Sequence, residues 1–160
     1  TIRNEFEELK DNNLNINVIG RKNGLPQGLV EEIERLEKNT DEENGLVLNI
    51  AFNYGGRAEI VDTAKNMINK NIGIEKIDEN KFASHLYLGD IPEVELLIRT
   101  GGEKRLSNFL LWEIAYAELY FTDQYWPDFS KDDLKKAIKE FSQRERRFGS
   151  INKDGDNNAL

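Results

Sequence analysis

The alternation of polarity between residues 94 and 121 constrains the fold of this chain more than any other feature. An apolar run, 94–98, ends abruptly in Arg99, and a Gly-Gly loop with several basic residues follows. The chain turns apolar again shortly after Ser107. This pattern predicts a buried strand, then a cationic loop, then a helix that begins at Ser107.

The loop between this strand and this helix is a candidate anion site. Arg99, Arg105 and Ser107 lie where ligands bind in α/β sheets, beyond the carboxyl end of a strand and near a helix start. A planar guanidinium matches the oxygens of a diphosphate. The alternative is a structural ion pair between Arg99 and Glu103 with no ligand. The pair Gly101–Gly102 favours a ligand, because glycine lets the backbone approach an anion closely.

A second junction of the same kind lies upstream. The nearly continuous apolar run 46–52 predicts a strand covered on both faces. Gly55, Gly56 and Arg57 follow it, and then a helical pattern. The turn lacks the lysine of a phosphate-binding P-loop and the spacing of a dinucleotide fingerprint. By itself this signal is weak, and a supporting role is favoured.

Three further helix starts carry local signals. Pro26 can begin a helix at no cost, since a helix leaves its first N–H groups unpaired. Asp78 is placed to cap a helix that reaches Leu88, and Ser130 stands three residues before Asp133, as in a capping box. With a short strand at 16–19, strands and helices alternate along the chain. This order predicts an α/β fold with a mostly parallel sheet flanked by helices.

Composition excludes several classes of protein. A net charge of −8 argues against a general binder of nucleic acid or of anionic membranes. The chain has no cysteine, so it has neither disulfides nor a thiolate metal site. No apolar run approaches the roughly 20 residues that cross a bilayer. The one histidine, His85, has no cluster of metal-ligand spacing around it.

One carboxylate, Glu118, stands between two apolar segments. The stretch 109–116 is apolar nearly all round and predicts a buried helix, and 119–121 predicts a strand. A carboxylate in such surroundings needs a partner. It either forms a salt bridge, for which Arg99 is a candidate, or provides an oxygen ligand to Mg²⁺.

The sequence also resembles a known family. R-T-G-G-E-K-R-L-S-N-F, then W-E-I-A-Y-A-E-L-Y-F and W-P-D-F, is similar to the cis-prenyltransferases, and most similar to the bacterial undecaprenyl diphosphate synthases. The upstream N-Y-G-G-R and the downstream R-R-F-G match in the expected order. The resemblance covers nearly the whole chain except its tail.

The resemblance implies a function. It implies a homodimeric, Mg²⁺-dependent enzyme that adds isopentenyl diphosphate repeatedly to an allylic diphosphate of the farnesyl type, with new double bonds in cis. The product would be a long-chain polyprenyl diphosphate of the undecaprenyl type, the lipid carrier of cell-wall synthesis. It also implies a cytoplasmic protein, peripheral to the membrane that receives the product, with no nucleic-acid partner.

The resemblance assigns roles to individual residues. Arg99, Arg105 and Ser107 match the positions that hold isopentenyl diphosphate, and Leu106 lies within the same loop. Glu118 matches the Mg²⁺ ligand. Arg147 and Gly149 match an R-x-G element that reaches the diphosphate site of the partner subunit.

The sequence departs from the family pattern in its first part. The M-D-G-N-x-R-W segment, whose aspartate is catalytic, and the F-S-x-E-N-W segment do not occur in these 160 residues. The expectation is therefore the C-terminal portion of one domain, 1–149, with a disordered tail, 150–160. It would contain no catalytic residue and would not elongate chains alone. The alternatives are a non-catalytic subunit of a heteromeric prenyltransferase and an unrelated module that binds anions or nucleotides.

Overall fold

A computed structural model of the protein describes residues 14–38, 46–89 and 91–144. The described chain forms two compact units. The first contains the chain up to Val94 together with Arg105–Tyr116, and the second contains Glu95–Lys104 and the chain from Ala117 onward. The predicted tail and the R-x-G element at Arg147 and Gly149 lie outside the described residues.

The first unit contains a parallel pair of strands, β1 and β2. Its elements are β1 (Leu14–Ile19), α1 (Gln27–Lys38), β2 (Leu46–Ala51), α2 (Gly56–Asn69), a 3-10 turn (Ile74–Lys76) and α3 (Glu79–Ala83). The strands run in register from Leu14 opposite Leu46 to Ile19 opposite Ala51. Helix α1 packs on β1 and buries Ile33 and Leu36, and Ile16 of β1 is fully buried.

A close backbone approach fixes the carboxyl end of this strand pair. Gly20, directly after β1, has a φ of +128°, and a Cβ there would lie 2.0 Å from the carbonyl oxygen of Phe52. The N–H of Phe52 donates to the carbonyl of Ile19 over 2.9 Å, and the side-chain amide of Asn53 donates to the carbonyl of Arg21 over 2.8 Å. The loops that leave β1 and β2 are therefore held together by hydrogen bonds to backbone carbonyls.

The second unit is built on another parallel pair. Its elements are β3 (Leu96–Arg99), β4 (Glu118–Phe121), a 3-10 turn (Trp126–Asp128) and α4 (Lys131–Ser142). The strands run from Leu96 opposite Glu118 to Arg99 opposite Phe121. Helix α4 buries Ala137 completely and begins at Ser130 with the predicted capping box, in which Ser130 and Asp133 bond reciprocally.

The α/β prediction with parallel strands flanked by helices is confirmed, and several local predictions are wrong. The strand predicted at 46–52 to be covered on both faces leaves Leu46 70% exposed, because α1 packs chiefly on β1. Asp78 does cap a helix, but that helix ends at Ala83 rather than at Leu88.

The largest difference concerns residues 107–116, which form successive turns instead of a buried helix. Ser107, Asn108 and Leu110 have φ values of +49°, +64° and +43°, which no right-handed helix accommodates. Leu110 and Ile114 are buried as expected, whereas Tyr116 is 80% exposed. The predicted burial is therefore confirmed for Leu110 and Ile114 and wrong for Tyr116.

Helix length and polarity also bear on the relation to membranes. Within the ranges that the structure describes, no helix is both long enough and apolar enough to cross a bilayer.

We predict that Gly20→Ala lowers the free energy of unfolding by about 1–3 kcal/mol, through overpacking against the Phe52 carbonyl and a strained φ. Gly28→Ala in the first turn of α1 is the matched control, because a Cβ there meets nothing within 4 Å. That variant should be neutral or more stable by up to about 1 kcal/mol. Urea unfolding followed by circular dichroism measures both, and equal midpoints for the two variants would contradict the close approach at Gly20.

Candidate functional site

The Gly-Gly loop after β3 is tied to the segment that follows β4. The N–H of Gly101 donates to the carbonyl of Gln124 over 2.7 Å, and that of Gly102 donates to Thr122 over 2.9 Å. Both glycines have positive φ, +87° and +76°, so glycine is needed for the turn itself. These two N–H groups are already used within the protein. An anion at this loop would therefore depend on side chains such as Arg99, the last residue of β3.

Glu118, at the start of β4, forms a salt bridge with Arg144. One Arg144 nitrogen lies 2.8 Å from a Glu118 oxygen, and the other lies 2.7 Å from Glu140. Hydrogen bonds to the two carboxylates raise the pKa of Arg144. The strand register places Glu118 opposite Leu96, at the other end of this short sheet from Arg99. The partner of Glu118 in the structure is thus a residue that the sequence did not single out.

Glu118 is the one predicted ligand of Mg²⁺ that lies within the described residues. Among residues 14–38, 46–89 and 91–144 there is no group of three or more His, Cys, Asp or Glu side chains that could hold a metal. Mg²⁺ binds through one or two carboxylates together with waters and phosphate oxygens. Glu118 offers a single carboxylate, and Arg144 already pairs with it. The metal role of Glu118 stays a prediction.

The other residues of the predicted site lie together in the first unit. Arg105, Leu106 and Ser107 are consecutive, with the arginine and serine exposed and Leu106 half-buried. The next residue, Asn108, reaches the start of α2. Its carbonyl accepts from the N–H of Gly56 over 2.7 Å, and its Oδ1 accepts from that of Arg57 over 2.9 Å. The loop of Arg105–Ser107 is thus fixed to the glycine-rich turn at Gly55 and Gly56.

A buried carboxylate, that of Glu59, stabilises the turn that precedes α2. Glu59, in the first turn of α2, is only 1% exposed. It accepts a hydrogen bond from the Tyr54 hydroxyl and one from the backbone N–H of Tyr87, the latter over 2.9 Å. Burial, and then the bond to Glu59, raise the pKa of Tyr54. The Tyr54 ring also meets Phe109 edge-on, with centroids 5.8 Å apart, which connects the turn to the segment after Ser107.

Glu113 is a second carboxyl in this region, and it has no hydrogen-bond partner within the described part of the chain. Both of its oxygens are buried, and neither meets a donor among the described residues. Burial, and then the charge of Glu59, raise the pKa of Glu113. It lies on the wall of a cavity of about 380 Å³, beside Leu111 and Trp112. Burial and a neighbouring negative charge both disfavour the ionised form of an acid, so they favour a neutral Glu113.

A hydrogen-bond network of Arg21, Asp62 and Tyr87 holds the loop after β1. Arg21 donates two hydrogen bonds to Asp62 of α2, over 2.7 and 2.8 Å, and the Tyr87 hydroxyl donates to the same carboxylate over 2.6 Å. These bonds lower the pKa of Asp62 to about 2. Burial, and then the bond to Asp62, raise the pKa of Tyr87 to about 12. Tyr87 therefore joins the Asp62 pair to the buried Glu59.

Sequence reasoning missed most of these supporting residues. Glu113 had a visible signal, a lone carboxyl inside an apolar run, of the kind that drew attention to Glu118. Asn108 follows a predicted site residue directly, but an asparagine at that position gives no signal of catalysis or metal binding. The contacts of Arg144 join residues 26 positions apart, which no local pattern reveals.

Comparison with known proteins identifies the family. A family model that describes undecaprenyl diphosphate synthases matches residues 1–149. The chain belongs to the cis-prenyltransferase family.

Individual relatives agree with this assignment. An isoprenyl transferase of Fusobacterium nucleatum is 51% identical over 150 residues, which are 94% of this chain and 64% of that protein. A crystal structure of a probable undecaprenyl diphosphate synthase from Campylobacter jejuni has a TM-score of 0.82 and 37% identity, covering 93% of this chain and 69% of that one. Lavandulyl diphosphate synthase from Lavandula x intermedia, solved with dimethylallyl diphosphate, has a TM-score of 0.86 and 35% identity, covering 93% and 66%. The chain thus spans less than two thirds of the length of the Fusobacterium relative.

We predict that Glu113→Gln makes the protein less sensitive to rising pH. An acid whose pKa is raised by folding favours the folded state below that pKa and opposes it above, so wild-type stability falls as pH rises through the folded pKa. The variant should be more stable than wild type by about 1 kcal/mol at about pH 8 and nearly equal to it at about pH 4. Urea unfolding at both pH values measures this difference.

Glu93→Gln makes the same substitution at an exposed position on the same cavity wall and is the control. It should change stability much less than Glu113→Gln at the higher pH. Equal responses of the two variants would show that burial of Glu113 has no energetic consequence.

Proposed function

We propose that this chain supplies the isopentenyl diphosphate half-site of a cis-prenyltransferase. The enzyme would condense isopentenyl diphosphate with an allylic diphosphate and build a long-chain polyprenyl diphosphate. The observation that supports the proposal is the family match over residues 1–149. The resemblance of the sequence motifs then assigns Arg99, Arg105 and Ser107 to the diphosphate.

The chemistry of these residues suits the substrate. A guanidinium keeps its charge at all working pH values and bonds two phosphate oxygens at once. Arg105 and Ser107 are exposed, so a ligand can reach both. In a chain of net charge −8, a diphosphate needs such local cations to overcome the general repulsion. Fixed cations also stabilise the charge that builds on a leaving diphosphate.

The backbone around the loop makes this dependence on side chains stronger. The N–H groups of Gly101 and Gly102 and the first two N–H groups of α2 are all bonded to carbonyl oxygens of the protein. They are not available as the anion-binding donors that such turns often provide. The proposed half-site therefore depends mainly on its arginines and on the Ser107 hydroxyl.

The remaining elements of the proposal come from the family. A farnesyl-type starter, an undecaprenyl-type product that is delivered to the membrane for cell-wall synthesis, and a homodimer completed by Arg147 and Gly149 are all proposed on this ground. Mg²⁺, with Glu118 as one oxygen ligand, belongs to the same group. The proposed binding of isopentenyl diphosphate depends on the arginines and on Ser107, and Mg²⁺ is proposed only from the family resemblance.

A non-catalytic subunit of a heteromeric prenyltransferase is the alternative. It differs in one consequence, since a subunit without a substrate site has no need for Arg99, Arg105 and Ser107. Binding of isopentenyl diphosphate that depends on these residues favours the catalytic assignment.

We predict that the folded chain binds isopentenyl diphosphate and that Arg105→Ala weakens binding about 10- to 100-fold, the effect of losing a charge-assisted bidentate contact. Isothermal titration calorimetry measures the affinity, with and without Mg²⁺, after circular dichroism shows that each variant is folded. Lys104→Ala is the matched control, because it removes a neighbouring exposed cation that the family pattern does not assign. It should change the affinity less than about threefold.

Two results would oppose the proposal. Equal losses in the two variants would mean that the ligand responds only to net charge, and preference for a nucleotide over isopentenyl diphosphate would indicate an unrelated anion-binding module. We also expect no chain elongation by these 160 residues alone, since they lack the segment that carries the family's catalytic aspartate. Formation of labelled polyprenyl product by the purified chain would refute that expectation.

A further inference from the structure

The segment after Arg105 has an unusual backbone. Ser107, Asn108 and Leu110 all have left-handed φ values, +49°, +64° and +43°, although none is glycine. Such conformations are uncommon outside glycine and persist only where surrounding contacts hold them. Asparagine tolerates this region better than most residues, whereas serine and leucine do so poorly. Something outside the segment must therefore fix it.

Asn108 makes the contacts that can do so. Its carbonyl accepts the Gly56 N–H over 2.7 Å, and its Oδ1 accepts the Arg57 N–H over 2.9 Å. These are the first two N–H groups of the 14-residue helix α2, which have no partner inside the helix. The residue at the N-cap position, Gly55, has no side chain to satisfy them. Asn108 thus caps α2 from 51 positions away.

The glycine pair in the turn before α2 leaves room for this contact. A Cβ on Gly55 would lie 2.7 Å from Nδ2 of Asn108, and a Cβ on Gly56 would lie 2.9 Å from the Leu111 side chain. The pair Gly55–Gly56 therefore leaves space for the segment that follows Arg105. The N–H of Gly56 also donates a hydrogen bond to the carbonyl of Asn108. This accounts for a motif that the proposed function leaves unexplained.

We propose that Asn108 is the positioning residue of the diphosphate half-site, which it orders by fastening the Arg105–Ser107 loop to the start of α2. This inference rests on the proposed function and deepens it. The two hydrogen bonds of Asn108 hold Ser107 in its left-handed conformation. They also fix the backbone near Arg105, three residues earlier. In the structure Asn108 bonds to the first two N–H groups of the helix, so its role in binding is indirect.

The test compares variants at position 108 by calorimetry with isopentenyl diphosphate. Asn108→Gly tolerates the same φ but loses the Oδ1 acceptor, and it should weaken binding about tenfold, the effect of one lost hydrogen bond that orders a loop. Asn108→Asp keeps an acceptor that suits a helix N-terminus, and it should bind more tightly than Asn108→Gly. Asn108 is exposed, so both variants retain the buried core of the unit.

Thr63→Ala is the control for a merely structural effect. Thr63 is buried in α2 and donates to the carbonyl of His85, so its loss destabilises the same helix without touching Asn108. Its affinity for isopentenyl diphosphate should stay within about twofold of wild type. A loss in Thr63→Ala equal to that in Asn108→Gly would overturn the positioning role.

Amide hydrogen exchange at Arg57 provides a readout that needs no ligand. Protection of this N–H should fall in Asn108→Gly and return in Asn108→Asp. Unchanged affinity in Asn108→Gly, beside a wild-type chain that binds and an Arg105→Ala variant that does not, would overturn the inference alone. Absence of binding by the folded wild-type chain would overturn the proposed function and the ligand role of Asn108 with it, whereas altered Arg57 exchange would still establish the cap.

Discussion

Burial of the Glu59 carboxylate is the constraint on which the first unit depends. A carboxylate that is 1% exposed must be given hydrogen bonds, and here they come from the Tyr54 hydroxyl and the Tyr87 backbone. These donors lie in the turn before α2 and in the segment after α3, so satisfying one side chain brings two distant stretches against the same helix. Tyr87 extends the network to Asp62, which holds Arg21 after β1. The loops that leave β1 and β2 are thus anchored to α2.

The backbone donors of the glycine-rich turns are used within the protein. In many phosphate-binding folds the glycine-rich turn and the helix N-terminus bind the anion directly. In this chain the corresponding N–H groups are bonded to Thr122, Gln124 and Asn108. The glycines allow close packing and left-handed turns, and the proposed binding of a diphosphate depends on side chains. A site of this kind is sensitive to single arginine substitutions and to residues that fix loop geometry.

The strands, most helices and the family could be predicted from the sequence, and much of the site's architecture could not. Helix starts at Ser130 and Asp78 were predictable because their capping partners lie three residues away. The resemblance assigned Arg105, Ser107 and Glu118 because these residues lie in long stretches of sequence that match the family pattern in order. The apolar pattern of residues 109–116 wrongly predicted a helix after Ser107. A local pattern contains no information on the distant bonds that Asn108 forms with Gly56 and Arg57.

The sequence by itself determined which segments are strands and helices, that the fold is α/β, and that the chain belongs to the cis-prenyltransferases. These properties depend on residue periodicity, on short-range capping and on strings of residues that can be read in order. Only the tertiary structure decided that Asn108 caps α2, that burial and then the charge of Glu59 raise the pKa of Glu113, and that Glu118 pairs with Arg144. The physical reason is that hydrogen bonding and burial are satisfied by whichever group is nearest in space, and these partners lie 26 to 54 residues apart in the chain.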